Sequence, residues 1–109
     1  MIYRTDKGHW RSTLLEGEPW LDHWFGTALT PQPGGFLLLK QIHSTCVVDA
    51  AAWREGLEGD ALVASAAGVG VAVKTADCVP VLIADPVRRV VAAVHAGWRQ
   101  PDRVAADEP

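Results

Sequence analysis

The stretch Val81-Leu-Ile-Ala-Asp85-Pro86-Val-Arg-Arg89-Val-Val-Ala-Ala-Val-His95 decides the fold class. Two short apolar, β-rich runs, 81 to 85 and 89 to 95, flank a proline whose fixed φ suits a tight turn. The segment therefore predicts two neighbouring antiparallel strands. Working outward, Cys46 to Asp49, Asp60 to Ala64 and Val69 to Lys74 are further β-rich runs bounded by Gly, Pro or Asp. Phe36 to Leu39 reads as another strand. It follows the turn-rich Pro31-Gln-Pro-Gly-Gly35 and the aromatic Trp20 to Phe25, itself expected to be extended. Only Asp49 to Leu57 has helical composition, and residues 1 to 20, interrupted by Gly8, Gly17 and Pro19, predict a loosely packed start. The expected fold is α+β, a mixed β-sheet with few helices, in one domain over residues 1–109.

Size and charge narrow the function classes. With 109 residues, 49% of them hydrophobic, the chain has the size of one modest domain. A net charge of −3, from 10 basic and 13 acidic residues without a basic run, lacks the electrostatic footprint of a nucleic-acid binder. Its apolar runs are far shorter than the roughly 20 residues needed to span a bilayer. The N-terminus, Met-Ile-Tyr-Arg-Thr-Asp-Lys, does not read as a secretory signal. The expectation is a cytoplasmic protein that binds neither nucleic acid nor membrane, with Cys46 and Cys78 as thiols.

Four histidines are present, and two are set apart by their neighbours. His9 stands in the polar start and reads as solvated, while His23, in an aromatic segment, reads as packed and hydrogen-bonded. In Lys40-Gln-Ile-His-Ser44, period-2 alternation puts His43 on the face of Gln41, with Ile42 opposite and filling the core. His95 ends an apolar run where a glycine turn begins, close in sequence to Arg99. Cys46 sits in Thr-Cys-Val-Val, a sequence that packs, whereas Cys78 follows polar Thr75 and Asp77 and stands two residues before Pro80, at a strand start or edge. Cys78 is the reactive candidate. Gln41 and Arg99 are the candidate substrate contacts, Arg99 for an anionic group such as phosphate.

Four motifs in order, Lys40-Gln-Ile-His-Ser, Gly59-Asp-Ala-Leu-Val, Thr75-Ala-Asp-Cys-Val-Pro-Val-Leu and Val94-His-Ala-Gly-Trp-Arg99, resemble the YfiH-like family, formerly called laccase-domain proteins. The resemblance runs from about His23 to Arg99. It implies a fold related to cysteine-hydrolase-like folds and a metal site of one Cys and two His, which map to Cys78, His43 and His95. It also implies a zinc-dependent enzyme of purine nucleosides, acting on adenosine, inosine and methylthioadenosine with phosphate, and deaminating adenosine. Polyphenol oxidase is an older label of the family, and some bacterial relatives resemble peptidoglycan-precursor editing factors. This sequence departs from the family pattern in three places. Ala28 stands where an arginine belongs in His23-Trp-Phe-Gly-Thr-Ala28, the segment before Gln41 is short, and Arg99 is followed by Gln-Pro-Asp. A C-terminally truncated, incomplete member is the resulting expectation.

The implied ligand set makes chemical sense. One thiolate and two imidazoles fill three tetrahedral positions of zinc and leave one open, as in catalytic rather than structural sites. An open zinc position brings the pKa of water from about 15.7 to about 7, within reach of deamination at neutral pH. Asp60 suits the role of ligand orienter or proton shuttle better than Asp77, which in extended chain points away from Cys78. Four histidines and two cysteines are too few for a multicopper oxidase. A single copper on the same three side chains stays open, as does a metal-free hydrolase in which His43 or His95 activates Cys78. A non-catalytic fragment is the remaining alternative.

Overall fold

The computed structural model describes residues 1–27, 34–75 and 79–96, and its contacts group the chain into two compact units, Met1–Gly34 and Gly35–Pro109. The first unit is more ordered than its punctuation by glycine suggests. Strands β1 (Ile2–Arg4) and β2 (Trp10–Ser12) pair antiparallel, and a single helical turn, α1 (Thr13–Glu16), follows. Gly8, at φ 89°, supplies the left-handed residue of the connection, where the Gly8 N–H donates to the Thr5 carbonyl. The aromatic segment near residue 20 does not form the expected strand. Its extended part is a single antiparallel bridge, Trp10 to Phe25, and Arg11 donates to Asp22 (2.8 Å) and to the His23 carbonyl (2.6 Å).

The second unit contains β3 (Phe36–Leu37), β4 (Val47–Asp49), β5 (Ala61–Ala64), β6 (Gly70–Val71), β7 (Val79–Asp85) and β8 (Val90–Ala96). Four of these form one sheet in the order β4-β5-β8-β7, with β4 and β5 parallel and the other neighbours antiparallel. β3 and β6 pair in parallel separately. The sheet is therefore mixed, as the sequence predicts. The 79–96 hairpin closes where Asp85 Oδ1 accepts the Val87 and Arg88 N–H groups, so the turn is fixed by an aspartate as well as by Pro86. β7 runs two residues further upstream than expected and carries Pro80 at the sheet's edge, where a missing N–H costs no internal ladder bond.

Register decides which residues face inward. Val48 pairs with Leu62, and Leu62 with Ala93, so these three side chains share one face of the sheet. Leu62 and Ala93 are wholly buried, and Leu39, Leu37, Trp53, Leu57 and Val71 pack over Val48 and Leu62. Two expectations fail here. The helix over Asp49 to Leu57 is only a 3₁₀ turn, Ala50–Ala52, capped by the Asp49 side chain on the Ala51 N–H. Trp53 leaves the turn to join the core and donates Nε1–H to the Leu38 carbonyl, Gly56 adopts φ 83°, and Leu57 accepts from the Lys40 N–H, so tertiary demands stop the helix. Cys46, expected to pack, is an exposed free thiol.

Candidate functional site

The sheet itself brings Asp60 to His95. Ala61 pairs with Val94, so the preceding and following residues meet across β5 and β8, and the His95 N–H donates to the Asp60 carbonyl at 2.7 Å. With a side-chain period of two, Asp60 lies on the face of Leu62 and His95 on the face of Ala93, both toward the core. Their side chains then meet directly: His95 Nδ1 lies 2.7 Å from Asp60 Oδ2, with exposures of 4% and 2%. Gly59 makes this approach possible. A Cβ there would stand 3.1 Å from Leu39 Cδ1 and from Val48 Cγ2, and the glycine passes between them while its N–H donates to the Lys40 carbonyl.

Asp60 is buried, yet its carboxyl is ionised. Oδ1 accepts the N–H groups of Ile42 (3.2 Å) and Ser44 (2.8 Å) and the Ser44 hydroxyl (2.8 Å), and Oδ2 accepts the His43 N–H (3.1 Å) as well as His95. Burial alone raises its pKa, but the Ser44 backbone N–H, His95, the Ser44 hydroxyl and the Ile42 N–H outweigh that and bring it down to about 2. Three consecutive N–H groups converge because His43 adopts a left-handed backbone, φ 58°, which histidine tolerates better than branched residues do. The loop is an anion nest filled by the protein's own carboxylate. Ser44 Oγ in turn accepts the Cys46 N–H at 3.2 Å, which ties the nest to the entry of β4.

An ionised Asp60 can only accept, so the proton in its bond to His95 belongs to Nδ1. In the neutral ring the lone pair then lies on Nε2. The exposed His43 ring lies close by, with the two ring centroids 5.1 Å apart and the planes inclined at 71°. The period-2 reading of 40 to 44 fails: His43 belongs to a tight loop, and Ile42 is exposed rather than core-filling.

Gln41 makes a two-point contact with one backbone residue. Its Nε2 donates to the Lys74 carbonyl at 2.6 Å, and its Oε1 accepts the Lys74 N–H at 2.8 Å. Cys78 and Arg99, with Asp77 and Ala28, lie outside the described residues. Of the predicted site, the structure therefore gathers His43, His95 and Asp60. Among the described residues no three His, Cys, Asp or Glu side chains are grouped to hold a metal by themselves. The donors that are present suit one: two imidazoles side by side, one of them oriented by a carboxylate in the manner of metal-ligating histidines. Ser44 was not singled out from sequence, although a serine directly after His43 in a turn is itself a signal of side-chain bonding to nearby backbone.

His9 and His23 fall elsewhere, within the first unit. His9 contacts Trp24, with ring centroids 5.4 Å apart. His23 is buried and accepts the Ser12 N–H on Nε2 at 2.8 Å, the packed and bonded role its surroundings predict, and burial lowers its pKa.

Residues 23–103 match the model of a family described as multi-copper polyphenol oxidoreductase laccase. A purine nucleoside phosphorylase of Deinococcus radiodurans is 49% identical over 67 residues, covering 59% of this chain and 25% of that protein. An adenosine deaminase from an unknown prokaryotic organism is 52% identical over 44 residues, covering 39% of this chain and 17% of that protein. A crystal structure of a Neisseria meningitidis protein of the DUF152 family superposes with a TM-score of 0.53 at 44% identity, over 66% of this chain and 33% of that one. The chain spans about a quarter of the length of the curated relatives it matches first. No helix among the described residues is long and apolar enough to cross a membrane. On the match over residues 23–103, the chain belongs to the laccase-domain, or YfiH-like, family.

Proposed function

We propose that this chain carries the metal-binding part of a purine nucleoside phosphorylase with adenosine deaminase activity, in which His43, His95 and Cys78 hold a zinc ion. The observation that carries the reading is the Asp60–His95 bond of 2.7 Å beside the His43 ring, because a carboxylate on one nitrogen of a buried imidazole is the support that metal-ligating histidines use and leaves the other nitrogen with the lone pair a metal needs. The printed names of relatives, purine nucleoside phosphorylase and adenosine deaminase, support the substrate class. Two imidazoles and a thiolate suit zinc, and copper is the alternative ion on the same donors.

A metal ion bound there supplies Lewis acidity at the reacting centre. The chain's own residues do the rest. Asp60 holds His95 in the Nδ1–H form, and the Ile42, His43 and Ser44 N–H groups hold Asp60 ionised, so the ligand geometry is set before substrate arrives. In deamination, water adds to the purine carbon bearing the amino group, and that group leaves as ammonia. In phosphorolysis, phosphate oxygen displaces the base from the ribose, and Arg99 is the chain's candidate to bind the phosphate. Phosphorolysis requires a nucleoside and inorganic phosphate, and deamination a nucleoside and water.

Elemental analysis of the purified chain, with adenosine and inosine assays on wild type and on Cys78→Ala, tests the proposal. The expected result is near-stoichiometric zinc lost together with activity in the variant. Full activity in Cys78→Ala defeats it.

The same Asp60–His95 pair favours one second reading, a metal-free hydrolase in which His95 activates Cys78, as in folds of the cysteine-hydrolase type. Rapid alkylation of Cys78 in a chain that purifies without zinc or copper would select that reading over the first.

A further inference from the structure

We propose that Gln41 is a positioning residue of the metal site rather than a contact for substrate, a reading that rests on the metal-site proposal above. Both halves of its amide are spent on Lys74: Nε2–H on the carbonyl at 2.6 Å and Oε1 on the N–H at 2.8 Å. A side-chain amide that engages the C=O and N–H of one residue reproduces the two-bond pairing of antiparallel strands, so it restrains that residue's orientation as well as its distance. Its place in the chain gives the restraint a purpose. Gln41 stands two residues before His43, and Lys74 four residues before Cys78.

The strand ladder cannot do this work. β3 and β6 pair through Phe36 to Gly70 and Leu37 to Val71, and the Ala72 N–H still reaches the Leu37 carbonyl at 3.1 Å. Beyond that the two segments leave the ladder. The 40–44 segment turns onto Asp60, while residues 73–75 lead toward Thr75-Ala-Asp-Cys78. At the point of divergence the Gln41 amide bridges them. On one side the segment is fixed by the nest around Asp60, and on the other by the Lys74 backbone, so the clip sets the separation between the chain entering one ligand and the chain entering another. With one N–H and one oxygen lone pair engaged by the same residue, the plane of the amide is fixed by Lys74, and only the second N–H and the second lone pair remain for any other partner.

Cobalt(II) titration into wild type, Gln41→Met and Gln41→Glu tests this, with the thiolate-to-cobalt charge-transfer band as the signature of Cys78 ligation. Methionine matches glutamine in length and removes both bonds. Glutamate keeps the acceptor for the Lys74 N–H and loses the donor to its carbonyl. The expected result is a Co²⁺ affinity about 10- to 100-fold weaker in Gln41→Met, with a diminished thiolate band, an intermediate loss in Gln41→Glu, and an unchanged far-ultraviolet circular dichroism spectrum in both. A wild-type affinity and band in Gln41→Met overturns the proposal, as does a rise in nucleoside KM with metal binding intact. A wild-type chain without the thiolate band defeats the metal-site reading itself and this inference with it, whereas a change confined to the variants concerns the clip alone.

Discussion

Replacing Asp60 by asparagine changes one atom and should invert the hydrogen-bond logic of the site. Three donors converge on Oδ1, from the Ile42 and Ser44 N–H groups and the Ser44 hydroxyl, so the asparagine oxygen must occupy that side. The new NH₂ then replaces Oδ2, facing the His43 N–H and His95 Nδ1. Against His43 it opposes donor to donor, which loses the 3.1 Å hydrogen bond at a cost of about 1 kcal/mol. Against His95 it donates, which forces the imidazole proton from Nδ1 to Nε2 and removes the lone pair that would face a metal. Loss of an outer-shell partner of this kind lowers metal affinity by about 10- to 100-fold. Two-bond ¹H–¹⁵N correlation spectra of the metal-free chain report the tautomer directly, and zinc titration calorimetry reports the affinity. An Nδ1–H tautomer and wild-type zinc affinity in Asp60→Asn would refute the orientation argument, whatever happens to stability.

Other consequences are simpler to state. In the metal-free chain, the Asp60 pKa of about 2, against a reference of 3.8, corresponds to about 2 kcal/mol of stability. Because the folded value is depressed, that contribution is complete above the unfolded pKa and is lost as pH falls from about 4 through 2. Urea unfolding at pH 5 and pH 2 measures it, and Asp60→Asn should show no such increment. Gly59→Ala should destabilise by about 1–3 kcal/mol, since its methyl would lie 3.1 Å from Leu39 and Val48, and a thermal melt equal to wild type would contradict the packing. Leu62→Ala, at the wholly buried centre of the sheet, should cost about 2–5 kcal/mol by denaturant titration.

How much of this could be read from residues alone depends on the range of the forces involved. The 79–96 hairpin was legible because its signals are local: two apolar runs and a turn carried by Asp85 and Pro86. The helical composition of Asp49 to Leu57 is overridden for the opposite reason. Its alanines favour a helix, but Trp53 and Leu57 are needed by a core whose other members, Leu39 and Leu62, are distant in sequence, and Gly56 yields to them. His43 and His95 were legible as candidates by type and setting, yet the reason they stand together was not. The cause is the Ala61 to Val94 register, which no local pattern announces.

Asp60 shows the same division more sharply. From sequence it is an acidic residue in the Gly59-Asp-Ala-Leu-Val motif, preferred to Asp77 as a ligand orienter, with nothing to say which groups it meets. In the fold that glycine admits the chain between Leu39 and Val48, the sheet sets the aspartate opposite His95, and the His43 backbone wraps three N–H groups around it. One carboxylate thereby fixes both histidines, His95 through its ring and His43 through its main chain. Removing the charge should accordingly loosen both at once, which single substitutions of either histidine cannot do. Combining Asp60→Asn with His43→Ala should therefore cost less in zinc affinity than the sum of the two alone. Strict additivity of the two losses would mean that the nest and the imidazole pair are independent features of the fold.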